Sequence, residues 1–74
     1  MQILAELADA LRERLAIIRD EESRRDPPRH TERLRRISEK IERIEHQLPQ
    51  TIDPQLRHFL QRRSYDKALE LLAV

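Results

Sequence analysis

The stretch Ile3–Ile18, ILAELADALRERLAII, decides how the rest of the chain is read. Placed on a helix at about 100° per residue, Leu4, Leu7, Leu11, Leu15 and Ile18 form one stripe, and Ile3, Ala10 and Ile17 form a second beside it. Together they span roughly half of the helix circumference, wider than the seam of a two-stranded coiled coil. One neighbouring helix cannot bury an arc of that width. Arg14 falls inside it, which requires either a packed stem with the charge reaching past the edge or an acidic partner at a helix contact.

Totals bound the possibilities. A chain of 74 residues is one domain at most, and chains this short bury too little surface to be comfortable alone. Disulfides, a metal or a partner subunit are the usual supplements. With no cysteine, disulfides and thiolate zinc sites are closed, and self-association is the remaining ordinary solution. Fifteen basic and 14 acidic side chains leave a formal charge of +1, so bulk charge does not mark a polyanion binder. Glycine is absent, which disfavours type I′ hairpins, glycine helix caps and phosphate-cradling loops. Glu6 and Asp9 interrupt the apolar residues near the start, unlike a signal peptide, and no apolar run approaches the roughly 20 residues that cross a membrane. The expectation is a cytoplasmic protein.

From Ile3–Ile18 outward, the first helix is expected to run over residues 1–25. Asp20 with Arg24 and Glu21 with Arg25 are acid-first pairs four apart, the spacing that supports an exposed helix, so its end should project into solvent. Asp26, Pro27 and Pro28 then break it: proline lacks the amide hydrogen and restricts the residue before it. Asp26 as N-cap with Pro27 at the first helical position starts the second helix, 27–48, with Thr31 as the rival cap. So short a connection makes the two helices an antiparallel hairpin. Leu34, Ile37, Ile41, Ile44 and Leu48, spaced three, four, three and four, lie within roughly 80°, the width of a coiled-coil seam, and are assigned to the intrachain contact. Pro49 ends that helix. Asp53–Pro54 repeats the start signal for a third helix over 54–62, carrying Leu56, Phe59 and Leu60. At Arg62–Ser64 the apolar phase shifts, and Tyr65, Ala68, Leu69 and Leu72 begin a fourth stripe over 64–72, read as a separate helix capped by Ser64 or as the continuation of one bent helix.

Catalytic and metal chemistry find little support. Three histidines, His30, His46 and His58, stand without the Glu-x-x-His spacing of a bundle metal site, since Arg43 and Gln55 precede His46 and His58 by three. Glu42 and His46 are one turn apart, but two ligands make a poor site, and the plain reading is a solvated pair. Ser23, Ser38 and Ser64 lack a glycine-bearing elbow. No cofactor or metal, and no enzymatic activity, is expected.

The fold expected is therefore all-α: an antiparallel hairpin followed by one or two short helices, two copies of which associate into a four-helix-bundle-like core. Ile3, Leu7, Ala10, Arg14 and Ile17 are the candidate self-association residues. The function expected is a small protein–protein interaction or assembly module, a homodimer with a possible further protein partner. The rival is a nucleic-acid-associated protein that would use arginines around Arg33, Arg35 and Arg36 together with Arg57, Arg62 and Arg63, if folding joined the two sets; interspersed Glu32, Glu39 and Asp66 weaken it. Phe59 and Tyr65, the only two aromatics, read as core plugs, although Tyr65 beside Arg62 and Arg63 is also the chemistry of a partner contact.

Overall fold

The computed structural model describes residues 2–72, all of whose regular structure is helical. Five helices follow in order: α1 (Gln2–Arg19), α2 (Glu21–Arg24), α3 (Pro27–Gln47), α4 (Pro54–Gln61) and α5 (Tyr65–Leu72). Among these helices none is long and apolar enough to cross a membrane.

Antiparallel packing of α1 on α3 is the main contact of the fold. Its direction is read from two cross-helix pairs, Asp20 to Arg33 at 3.1 Å and Glu13 to Lys40 at 3.9 Å, in which one index falls as the other rises. Such exposed ion pairs contribute little stability; what they select is register. The core comprises Leu7, Ala10, Leu11 and Ile17 from α1, Ile37, Ile41, Ile44 and Leu48 from the α3 seam, and Leu56, Leu60, Tyr65 and Ala68 from the C-terminal helices. Leu34, the first seam residue, is half-buried against it. Ile52, in the connection after α3, is buried as well, so that turn is pinned into the core rather than looped over it.

The first helix is shorter than the run of helix-forming residues predicts. It stops at Arg19, Asp20 turns extended (φ −79°, ψ 102°), and its carboxylate accepts from the Ser23 amide to start α2. Asp20 therefore pairs with Arg33 across the hairpin rather than with Arg24 along a helix. The cap satisfies amides that the helix would otherwise leave open, and the break folds the chain back instead of letting it project. α2 packs on α3, and Ser23, 8 % exposed, places its hydroxyl 2.8 Å from His30 Nδ1.

Two Asp-Pro signals start helices. Asp26 accepts from the Arg29 amide and Asp53 from the Gln55 amide, each with proline at the first helical position. α4 and α5 are separate helices. Between them Arg63 adopts φ 56°, while the Ser64 amide donates to the Phe59 carbonyl and the Arg63 amide to the Leu60 carbonyl, the two bonds of a Schellman stop. The left-handed position is filled by arginine because the chain has no glycine to put there.

Candidate interaction surface

The broad apolar arc of α1 is divided between neighbours, and the division differs from the one its sequence suggests. Leu7, Ala10 and Ile17, expected at a contact between copies, are 0, 0 and 5 % exposed within the single chain. Glu13, beside them on the helix, reaches Lys40, and Ile17 shares a cleft with Ile37 of α3. This edge of the arc is thus the hairpin seam, which leaves a second copy no access to it. Ile3 is half-buried and packs on the same core.

The opposite flank carries Leu4, Ala8, Leu11, Leu15 and Ile18. α5 is the other long-range neighbour of α1, and Ala8 and Leu11 are buried, so the N-terminal half of this flank is roofed. Arg14 marks the end of the roof: its guanidinium carbon lies 4.9 Å from the centroid of the Tyr65 ring. Tyr65 is 7 % exposed. It is a core residue rather than a surface anchor, its ring face taken up by a cation from within its own chain. Past this point Leu15 and Ile18 are half-buried and lie outside the core cluster. No sequence rule separates them from Leu11, since all three share a stripe; α5 begins at Tyr65, which stacks on Arg14.

Arg57 and Arg63 of the second arginine set are each engaged by groups outside the first set. Arg57 donates to the Pro49 carbonyl at the C-terminal end of α3, thirteen positions from Arg36 and therefore about 20 Å along the helix axis. Arg63 instead meets Glu42 at 3.1 Å, so the Glu42 carboxylate is engaged away from His46. Arg35 forks between Glu32 and Glu39, and Arg36 also binds Glu32. Those arginines hold the Glu32 carboxyl down at about 2. Arg62 is exposed. A row that the sequence reading did not assemble, Arg33, Arg36, Lys40 and Arg43, lines one side of the hairpin, but Glu6, Asp9 and Glu13 of α1 share its clefts. Alternating signs at this range shorten the reach of the field.

Among the described residues no three His, Asp or Glu side chains are grouped to hold a metal ion. No family model, curated protein or solved structure matches this chain.

Proposed function

We propose that this protein is a small non-enzymatic helical module of the cytoplasm whose role is assembly: it associates with itself and, so assembled, docks another protein. One observation carries the reading. The C-terminal half of α1 presents Leu15 and Ile18 half-buried and outside the core, on the flank whose other half packs against α5. Apolar side chains aligned on one helix face and only partly covered are the ordinary material of a helix–helix contact. Clefts lined by mixed charges surround the rest of the hairpin, a surface suited to solvent and to orienting a partner rather than to desolvating a reacting group.

Sedimentation equilibrium over a wide range of protein concentration tests the proposal. The expected result is a reversible mass above that of one chain. A single-chain mass throughout the range overturns self-association.

A further inference from the structure

One groove of the hairpin is polarised from edge to edge. Along α1, Glu6, Asp9 and Glu13 follow the three-four spacing that keeps side chains on one helical stripe. Along α3, Arg33, Arg36, Lys40 and Arg43 do the same, each one residue before an apolar residue of the seam. Two clefts that share Lys40 and Arg43 join into this groove, over Ile17, Ile37 and Ile44, which are buried. No residue of α4 or α5 lines it. The groove thus has an acidic wall, a basic wall and neither C-terminal helix over it.

The two walls do not use each other up. Asp20 closes on Arg33 at 3.1 Å, but Glu13 and Lys40 stand 3.9 Å apart with more than half of each side chain exposed. Asp9 turns to Arg12 and Arg36 to Glu32, each along its own helix. Among the described residues Glu6 and Arg43, both exposed, form no ion pair. A polyanion laid in this groove would meet the acidic wall, and a polycation the basic one. An occupant that suits both walls carries one stripe of each sign on antiparallel helices, and a second hairpin of this chain does so. Two hairpin faces can meet with two-fold symmetry in two ways. An axis across the helices sets acidic wall on acidic wall, whereas an axis along them sets each acidic wall on a basic one.

We infer that the groove between α1 and α3 receives a second copy of this chain, turned about a two-fold axis that runs along the helices, with α1 of each copy lying on α3 of the other. That rotation leaves every residue at its own height along the axis, so the register between copies repeats the one within. Glu13 faces Lys40 of the other copy and Asp9 faces Arg43 of the other copy, once on each side. The contact is isologous and closes at two copies. Because the isoleucine floor is already buried, the contact is polar, weak and sensitive to salt. The inference rests on the self-association reading and adds to it a surface, an orientation and a register.

Two full-length variants separate contact between copies from contact within one. Glu13→Lys leaves cations at both positions of the pair, and Lys40→Glu leaves anions at both. Each alone opposes like charges on both sides of the axis and should associate at least about tenfold more weakly than the wild type, by sedimentation equilibrium at about 50 mM salt. Mixed in equal amounts, they restore both pairs between copies while each chain keeps its internal clash. The expected result is a heterodimer about as tight as the wild type. Lys67→Glu, on α5, has the same net charge as Lys40→Glu; it should keep the wild-type affinity and should not rescue Glu13→Lys. All three altered side chains are exposed, so circular dichroism should show unchanged helicity. A wild type that dimerises with the same affinity in Glu13→Lys and Lys40→Glu overturns the groove and leaves self-association standing. Loss in each variant without recovery in the mixture also overturns it, because the charges then act only within the hairpin. An oligonucleotide complex of the wild type that Lys40→Glu abolishes gives the groove to a polyanion instead. A wild type that stays single-chain up to about 1 mM overturns both the groove contact and self-association.

Discussion

The guanidinium of Arg14 lies over the ring of Tyr65, 4.9 Å from its centroid, and this contact is a polar joint between α1 and the C-terminal cover of the hairpin. It resolves why a charge sits inside an apolar arc: the arc is interrupted where α1 passes from beneath α5 into the open. Cation–π pairs are worth about 0.5 to 1 kcal/mol at exposed sites and more when desolvated. Arg14→Met, which keeps the stem, should lower the stability measured by urea unfolding by about that amount. In a double-mutant cycle with Tyr65→Leu the two losses should fail to add, by about 0.5 kcal/mol or more. Additive losses would show that Arg14 contributes only packing.

Arg63 is the one described residue other than glycine with positive φ, and it occupies the C′ position of α4, where glycine has no Cβ to clash. A left-handed residue with a side chain costs about 1 kcal/mol or somewhat more. Arg63→Gly removes that strain and also the exposed pair with Glu42, the smaller effect. Its melting temperature should rise, by about 4 °C if the strain term dominates. Arg63→Ala keeps the strain, loses the pair and should melt below the wild type. A drop with glycine would mean that the Glu42 contact, not the backbone, governs this turn.

What could be read in advance divides along a physical line. Local chemistry was legible: Asp26–Pro27 and Asp53–Pro54 each start a helix, and the three-four spacing from Leu34 to Leu48 is the face that meets α1. Helix identity follows from periodicity because it depends on neighbours in sequence. The partition of the α1 arc was not legible. Leu11 and Leu15 share one stripe of the arc, yet Leu11 is buried and Leu15 only partly so, because the packing of α5 on α1 is a tertiary contact that the stripe does not encode. The break at Asp20 was missed for a related reason. Arg19–Arg25 has helical propensity throughout, but tertiary bonds from Arg33 to Asp20 and between Ser23 and His30 reward a chain that stops and turns. Propensity gave way to packing.

The hairpin tip depends on Asp20 in two ways, as the cap of α2 and as the partner of Arg33. Asn caps as well as Asp but carries no charge. Asp20→Asn should therefore lose the ion pair alone, and Asp20→Ala both contacts. The expected order of stability is wild type, then Asn, then Ala. Amide exchange at Ser23 and His30 should quicken in Ala well beyond its rate in Asn, since the tip opens when the cap is gone. Equal exchange in the two variants would assign the stabilisation to the ion pair and not to the cap.

Acid should weaken the fold through the same hairpin. Hydrogen bonds from Arg35 first and Arg36 second hold the Glu32 carboxyl at about 2, against an ordinary 4.5; the Ser23 amide first, then Arg33, holds Asp20 below its ordinary 3.8. Each group binds its proton less readily folded than unfolded. Its stabilisation is complete above the unfolded value and is lost as pH falls toward the folded one. Urea midpoints should therefore decline from about pH 4.5 down to about pH 2, the Glu32 share beginning first. Glu32→Gln should start from lower stability at neutral pH and fall less steeply across that window, and Asp20→Asn should do the same below 3.8. Because both carboxylates are reached by solvent, salt at about 1 M, where the Debye length is about 3 Å, should shrink these differences. If Glu32→Gln and Asp20→Asn both retain the wild-type slope, the carboxylates are not held by these partners in solution, and the acid sensitivity must come from other groups.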